Sequence, residues 1–348
     1  MATVRDIAKA CGVSAMTVSA VLNKRRGAAS SETQERIFKV AEEMKYRPGM
    51  NTRGAPRQYL NTIGVVLAYL DWASLASDRY FGPILDGIFD ASKRLGQYDL
   101  VIIEDTWESA YENTSRYFDG RCDGVIFMLP TLPTEYLLSL QKRNVPFVCV
   151  GESRPDKSLS VVDLDNVAAG YDATTYLLEA GHRRIALFSG DQNFLSSAQR
   201  MQGYKNALAD WGVAIDEQLM LPGKYNTPSG YRRMRELLSA GGANLPTAIV
   251  CGDDWIALGA MQAINEFGLV VPDDVSVIGV NNNRDGVISQ PPLTTIDHPL
   301  RAIGQRAVDV VMEQVRNDVQ PGEKCLLRGD LIIRSSVCPP RSVGRSSI

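Results

Sequence analysis

The sequence is poor in the residues that most often build metal and catalytic centres. Only two of its 348 residues are histidines, His182 and His298, and its six cysteines form no C-x-x-C pair. This scarcity argues against zinc sites, disulfide frameworks and histidine-dependent catalytic triads. Because no secretory leader precedes the cysteines, we expect a reduced, cytoplasmic protein.

Nucleotide-binding and hydrolase signatures are missing as well. No G-x-G-x-x-G follows the first apolar segment, no G-x-S-x-G occurs, and Gly223-Lys224 is followed by tyrosine where a P-loop needs serine or threonine. No apolar run reaches the ~18 residues of a membrane span, so no membrane partner is expected. We predict a binding protein without cofactor or metal, rather than an enzyme.

The charge is unevenly distributed along the chain. Residues 1–60 contain eleven Lys or Arg and five Asp or Glu, a net charge of +6, whereas the whole chain carries −3 and the remainder therefore −9. A basic segment on an acidic body favours a polyanionic partner for the first part and a different ligand for the second. A charge run alone is also typical of a solvated surface.

The basic segment has the pattern of short, capped helices. Thr3 and Asp6 have the spacing of a capping box, and Gly12 can adopt the positive φ angle of a tight turn. Ser14 can cap a second helix over Ala15–Leu22, and a third helical pattern follows. Helices joined in this way form a helix-turn-helix, whose second helix enters the major groove of DNA. The alternative is a small helical cap on a larger domain.

Residues 4–23 closely resemble the headpiece of the lactose-repressor (LacI) family of bacterial transcription regulators, and the match continues through Glu32-Thr33 and Tyr46-Arg47-Pro48. The resemblance implies that the second helix reads base edges while flanking residues hold phosphates. The residues implied in DNA binding are Thr3, Ser14, Ala15, Met16, Thr17, Ser19, Ala20, Asn23, Lys24, Arg25, Thr33, Tyr46, Arg53 and Ala55.

The second helix departs from the family pattern. The family usually has arginine where Ala20 stands, and often polar residues where Ala15 and Met16 stand. Methyl and thioether groups suit thymine methyl groups better than guanine O6 and N7. We therefore expect few base-reading hydrogen-bond donors on this helix.

The segment 49–61 corresponds to the hinge that, in this family, folds on DNA and inserts a leucine into the minor groove. The spacing places Ala55 at that position, and alanine is too small to unstack a base step. Gly54 is a poor helix former, and Pro56 biases Ala55 away from the α conformation. We expect a weak hinge helix that bends the operator less than in relatives; the alternative is a plain flexible linker.

The rest of the chain alternates apolar runs with amphipathic helical patterns. The strand-like segments form two series, 63–67, 100–103, 124–127 and 146–150, then 184–188, 247–250 and 275–278. Continuous apolar strands are typical of parallel sheets covered on both faces. They predict an α/β body of two doubly wound lobes, with a ligand cleft between them at the carboxyl ends of the strands.

The resemblance extends over about residues 3–336 and implies a periplasmic-binding-protein-like body. The predicted domains are a helix-turn-helix headpiece at 1–48, a hinge at 49–61, a body at 62–338 and a tail at 339–348. Within the body, the N-lobe comprises about 62–163 and 297–324, and the C-lobe about 164–296 and 325–338.

The resemblance also implies a set of ligand-binding residues, namely Tyr80, Phe81, Arg200, Tyr225, Asp253 and Asn281. Aromatic rings suit the flat face of a sugar or a purine, and the arginine can donate to hydroxyl or carbonyl oxygens. Asn281 stands where the family more usually has aspartate, and an amide both donates and accepts. Phe81 equally fits a core position, and Arg200 a surface position.

The two histidines receive no catalytic role. His182 lies at a predicted helix end and is assigned to capping. His298 could face the cleft, but a lone histidine is usually not catalytic.

We therefore predict a transcription regulator that binds operator DNA as a repressor and is controlled by a small effector. A sugar or related metabolite is the favoured effector and a purine the second. The tail has two prolines and no apolar heptads, which predicts a homodimer rather than a coiled-coil tetramer. The alternative function is a periplasmic-type solute-binding protein without a DNA role.

Overall fold

The computed structural model describes residues 3–22, 28–44, 60–67, 80–96, 98–104, 121–129, 134–151, 158–241, 245–316, 322 and 324–341. The chain divides into a first unit, Met1–Val150, Asp156–Val161 and Gly304–Lys324, and a second unit, Gly151–Pro155, Val162–Ile303 and Cys325–Ile348. Over the described ranges, helices of the length and apolarity needed to span a membrane are not found.

The N-terminal helices are α1 (Val4–Cys11), α2 (Ala15–Leu22) and α3 (Ser31–Glu43). The predicted capping box is present, because Thr3 Oγ1 accepts from the Asp6 backbone N–H at 3.2 Å and the Asp6 carboxylate accepts from the Thr3 N–H at 2.8 Å. Gly12 ends α1 with a φ angle of 64°. The helices share a core whose completely buried members are Ile7, Val18 and Ile37.

The body alternates strands and helices. In chain order its elements are β1 (Thr62–Leu67), α4 (Phe81–Arg94), β2 (Asp99–Glu104), β3 (Gly124–Met128), α5 (Thr134–Lys142), β4 (Phe147–Val150), β5 (Val161–Leu164), α6 (Asn166–Glu179), β6 (Ile185–Gly190), α7 (Leu195–Asp210), β7 (Met220–Pro222), α8 (Thr227–Ala240), β8 (Ala248–Cys251), α9 (Asp254–Glu266), β9 (Ser276–Asn281), α10 (Arg284–Ile288), β10 (Thr294–Asp297), α11 (Leu300–Arg316), β11 (Lys324–Leu327) and β12 (Leu331–Ile332).

The described strands form two sheets. Their orders are β11-β5-β4-β3-β1-β2 and β12-β10-β9-β8-β6-β7. Strand β1 runs parallel to β2 and β3, and β8 runs parallel to β6 and β9, whereas β12 is antiparallel to β10. The predicted fold class, a helical headpiece followed by a mostly parallel two-sheet α/β body, is confirmed. The strands β5, β7, β10, β11 and β12 lie outside the two predicted series.

The second sheet is covered on both faces, as its apolar strands predicted. In β6, Ile185 and Leu187 pack into one core layer, whereas Ala186 and Phe188 pack into the other. Successive side chains of a strand point to opposite faces, so both faces of β6 are buried in protein.

Two glycines allow α6 and α7 to cross at close range. A β-carbon added to Gly203 would overlap the Val167 carbonyl oxygen, and one added to Gly170 would overlap the Arg200 carbonyl oxygen. The crossing therefore sets the position of the backbone that carries Arg200.

The C-terminal segment of the second unit lies against β9. Ser336 Oγ donates to the Val277 carbonyl at 2.6 Å and accepts from the Thr294 N–H at 2.8 Å. His182 Nε2 lies 2.9 Å from the Cys338 carbonyl oxygen and Nδ1 lies 2.8 Å from Thr247 Oγ1. The ring of His182 thus anchors this segment, a role different from the helix capping predicted for it.

Candidate functional site

Helix α2 presents its first residues to solvent. Met16 is 81% exposed, Ala15 and Ser19 are also exposed, and Thr17 and Ala20 are half-buried. The exposed groups on this predicted reading helix are therefore the Met16 thioether, the Ala15 methyl group and the Ser19 hydroxyl.

Hydroxyl side chains lie in the first turns of the N-terminal helices. Ser14 Oγ accepts from the Thr17 backbone N–H at 3.0 Å, and Ser30 Oγ accepts from the Thr33 N–H at 3.3 Å. With Thr3 at the start of α1, four of the predicted DNA-binding residues, namely Thr3, Ser14, Thr17 and Thr33, thus stand where helix N-termini favour anions. This position suits phosphate contacts better than base contacts.

Six predicted DNA-binding residues fall outside the described residues, and so do residues 49–59 of the hinge. The six are Asn23, Lys24, Arg25, Tyr46, Arg53 and Ala55.

Polar residues follow the parallel strands of the second sheet. Asp253 comes shortly after β8, Asn281 ends β9, and His298 follows β10. Since β8, β9 and β10 are parallel neighbours, their carboxyl ends lie at one edge of the sheet.

Arg200 on α7 is buried, with 5% of its surface exposed. Its Nε donates to Asn166 Oδ1 at 2.9 Å, and its Nη1 donates to the Gly252 carbonyl oxygen. Asn166 Nδ2 in turn donates to Asp163 Oδ2 at 3.2 Å. The structure therefore excludes the surface position considered for Arg200 and shows two of its donor nitrogens bonded within the protein.

Asn281 is bonded on both sides of its amide. Its Nδ2 donates to Asp253 Oδ2 at 2.5 Å, and its Oδ1 lies 2.9 Å from His298 Nδ1. Asp253 also caps α9, since its Oδ1 accepts from the Trp255 N–H at 2.6 Å. His298 Nε2 lies 4.0 Å from Asp163 Oδ1. Together these residues form what we term the polar ring, consisting of Arg200, Asn166, Asp163, His298, Asn281 and Asp253.

Burial shifts the pKa values of two members of the polar ring, Asp253 and His298, in opposite directions. It raises the pKa of Asp253 to about 6, against the opposing effects of the Trp255 N–H, the Arg200 charge and the Asn281 amide. Burial, helped by the Arg200 charge, lowers the pKa of His298 to about 3. At neutral pH the polar ring therefore contains a neutral His298 imidazole and an ionised Asp253 carboxylate, with the Asn281 amide between them.

A second buried carboxylate lies beside the ring. Asp254 accepts from Thr295 Oγ1 and from the Asn283 N–H, both at 2.6 Å, and burial raises its pKa to about 7. These bonds tie α9 to β10 and to the loop after β9, which indicates a structural role.

The predicted aromatic residues lie in both units. In the second unit, Tyr225 packs near Phe194, with ring centroids 6.0 Å apart, and its hydroxyl lies 3.2 Å from Ser196 Oγ. In the first unit, Tyr80 is half-buried and Phe81 is buried, and their rings meet edge to face at 5.4 Å. Within the second unit the structure thus brings Arg200, Asp253 and Asn281 into one network, and Tyr225 packs with Phe194.

Three members of the polar ring were not among the predicted ligand residues, namely Asp163, Asn166 and His298. A usable signal exists for His298, because it directly follows a short segment rich in β-branched residues, Thr294-Thr295-Ile296, in the part of the chain that proves to be β10. Among the described residues, no group of three or more His, Cys, Asp or Glu side chains is arranged to hold a metal ion.

Two family models match separate parts of the chain. Residues 3–49 match the model of bacterial regulatory proteins of the lacI family, and residues 174–337 match a periplasmic binding protein-like domain.

Curated relatives match over nearly the whole length. The chain is 32% identical over 342 residues to the HTH-type transcriptional repressor PurR of Erwinia tasmaniensis, covering 97% of both proteins. It is also 32% identical over 343 residues to PurR of Klebsiella pneumoniae strain 342, again covering 97% of both.

Solved structures agree with these matches. A complex of the transcriptional regulator CelR with cellobiose is 28% identical, with a TM-score of 0.70, covering 97% of this chain and 100% of that one. A Lac repressor dimer bound to operator and the anti-inducer ONPF is 26% identical, with a TM-score of 0.68, covering 97% and 99%.

Proposed function

The chain belongs to the LacI family of bacterial regulatory proteins, and from this premise we propose that it represses transcription by binding an operator through its N-terminal helices, under the control of a small effector bound by its body. The observation that carries the proposal is the combination of two features in one chain. One is a helix-turn-helix with an outward-facing second helix, and the other is a buried polar ring at the strand ends of an α/β unit.

The chemistry of the polar ring favours a neutral, hydroxylated effector. Arg200 and Asn281 supply N–H donors, and Asp253 supplies acceptors. Hydroxyl groups can satisfy both kinds, whereas an anion would meet the carboxylates of Asp253 and Asp163. A sugar or related metabolite is therefore the first candidate, in line with the cellobiose in the CelR complex, and a purine is the second.

The assembly we propose is a homodimer, as in the operator-bound Lac repressor structure. Two headpieces related by a two-fold axis would contact successive major grooves of a pseudo-palindrome. The effector regulates this binding by the difference between its affinities for the DNA-bound and DNA-free conformations.

The proposal is tested with the full-length chain in two assays. Selection from a random DNA pool is expected to enrich a pseudo-palindromic operator. Thermal-shift screening of glucose, galactose, ribose, cellobiose, adenine and hypoxanthine is expected to find a sugar that raises Tm, because a ligand that binds only the folded state stabilises it. Ligand binding without enrichment of any DNA sequence would instead support the solute-binding alternative.

Operator binding should depend steeply on salt. With few base-reading donors on α2, phosphate contacts carry much of the affinity, and each neutralised phosphate contributes a slope of roughly −0.9 to log K against log salt concentration. This slope is measured by fluorescence anisotropy at salt concentrations from about 50 to about 200 mM, because the loss of DNA affinity over this range is large. A nearly flat titration would contradict the expectation that phosphate contacts supply much of the affinity for DNA.

Met16→Gln should change base preference more than it changes overall affinity. Glutamine pairs bidentately with adenine, whereas the exposed thioether of Met16 suits a thymine methyl group, and a bidentate pair discriminates by about 1–3 kcal/mol. Repeating the selection with this variant is expected to change one position in each half-site. Met44→Gln is the matched control, since Met44 is also exposed but lies at the end of α3. An unchanged half-site in the Met16 variant would exclude Met16 from base reading.

A further inference from the structure

The direction of the hydrogen bonds around Asn281 follows from the chemistry of its partners. The ionised carboxylate of Asp253 can only accept, so Asn281 must direct Nδ2 toward it. The amide oxygen Oδ1 therefore faces His298 Nδ1, 2.9 Å away. Since Oδ1 can only accept, Nδ1 of His298 carries the proton. The three residues form a relay in which His298 donates to Asn281 and Asn281 donates to Asp253.

Burial keeps this relay in one protonation state. His298 has 6% of its surface exposed, and its pKa of about 3 keeps its imidazole neutral at physiological pH. A neutral ring protonated on Nδ1 has an unprotonated Nε2. Asp163 Oδ1, 4.0 Å from that nitrogen, is also an acceptor, which agrees with a distance too long for a hydrogen bond between the two atoms.

The relay uses half of the hydrogen-bonding capacity of Asn281. An amide side chain has two N–H donors and an oxygen with two acceptor lone pairs. Asp253 takes one N–H and His298 takes one lone pair, so one N–H and one lone pair remain. Asn281 therefore offers an effector a donor, which the aspartate that the family more usually has at this place cannot do when ionised.

We propose that His298 is a positioning residue which, with Asp253, holds the Asn281 amide as a hydrogen-bond donor, so that an effector is selected for an acceptor at this point, such as a ring, ether or carbonyl oxygen. This selection rests on the proposed function of the body as an effector-binding unit. The orientation of the relay does not, and it can be measured without any effector.

The chain contains its own control for the measurement. His182 Nε2 lies against the Cys338 carbonyl oxygen, which can only accept, so Nε2 of His182 carries the proton. Burial lowers the pKa of His182, so this ring is neutral too. The two histidines of the protein should therefore show opposite tautomers in one spectrum.

The test uses full-length protein labelled with ¹⁵N-histidine and a long-range ¹H–¹⁵N correlation spectrum at pH 7. Wild type is expected to show one ring protonated on Nδ1 and one protonated on Nε2, and His298→Gln should remove only the first. An Nε2-protonated His298 would overturn the proposal.

Asp253→Asn tests the direction of the relay. The introduced amide must keep its oxygen toward the Trp255 N–H to cap α9, so its NH₂ group would face Asn281 and reverse the amide of that residue. His298 should then change to the Nε2-protonated tautomer, while His182 stays unchanged. A His298 ring that keeps Nδ1 protonated in this variant would show that Asp253 does not orient the relay. Asp253→Glu, which keeps the carboxylate, should leave the wild-type tautomers in place.

The effector arm uses any sugar that binds wild type in the thermal-shift screen. His298→Leu is expected to weaken the binding of that sugar at least tenfold. His298→Gln, whose amide can donate to Asn281, is expected to retain most of the wild-type affinity. Equal loss in both variants would contradict a positioning role. If no sugar binds wild type, the proposed effector class fails, whereas the tautomer experiment still decides the relay.

Discussion

Replacing Gly203 with alanine is expected to destabilise the second unit by about 3 kcal/mol, although alanine normally favours a helix over glycine by about 1 kcal/mol. The added β-carbon would overlap the Val167 carbonyl oxygen and crowd the Tyr171 backbone nitrogen. Neither atom can move without shifting α6 as a whole. The steric cost therefore exceeds the gain in helix propensity, and the variant is less stable than wild type.

Urea unfolding monitored by circular dichroism measures this effect. Gln202→Ala is the matched control, because Gln202 is exposed on the same helix and its truncation should change stability by less than about 0.5 kcal/mol. A Gly203→Ala protein as stable as wild type would mean that α6 and α7 can separate at low cost. Because the same crossing positions Arg200, the variant should also bind effector more weakly.

Arg200→Met should reduce stability by roughly 3 kcal/mol at pH 8, because it leaves a buried carboxylate without its counter-charge. The substitution removes the bonds to Asn166 and to the Gly252 carbonyl oxygen and takes away the cation that lowers the pKa of Asp253. It should also weaken effector binding by a hundredfold or more, since Arg200 is the main cationic donor of the polar ring.

The loss of stability should be smaller at acidic pH. The pKa of Asp253 is raised in the folded protein to about 6 from 3.8, so burying this carboxyl costs stability at pH values above about 6 and costs little near pH 4. Without Arg200 the folded pKa rises further, and the added cost appears only where the carboxyl is ionised. His298 acts in the same direction, because its folded pKa of about 3 lies below the ordinary value of 6.5, which costs stability at acidic pH, and removing the Arg200 charge relieves part of that cost.

Unfolding of wild type and variant at pH 5 and pH 8 tests this dependence. Lys224→Met is the control, since it removes an exposed cation that pairs with Asp191 at the surface of the same unit. That control should show little difference between the two pH values. An Arg200→Met penalty that is equal at both would contradict electrostatic support of Asp253.

The N-terminal helices were predictable because their determinants are local. Thr3, Gly12 and Ser14 act on residues within four positions of themselves, so their roles follow from spacing alone. The apolar strands were predictable for a similar reason, since burial on both faces leaves a continuous apolar run.

The polar ring was only partly predictable, because its bonds join distant parts of the chain. Arg200 bonds to residues 34 and 52 positions away, and no local pattern encodes such a pairing. Family resemblance identified Arg200, Asp253 and Asn281, but not the state of their hydrogen-bonding groups. The contact between the Asn281 amide oxygen and His298 Nδ1 joins residues 17 positions apart, and no local pattern around either residue encodes it.

The anchored C-terminal segment implies an order of maturation during synthesis. Strand β12 completes the second sheet, and Ser336 bonds to both Val277 and Thr294, so this unit is finished only after its last residues leave the ribosome. The N-terminal helices, which share a core of their own, are made first and fold early. A chain released prematurely would therefore carry the core of the N-terminal helices beside a second sheet that lacks its last strand.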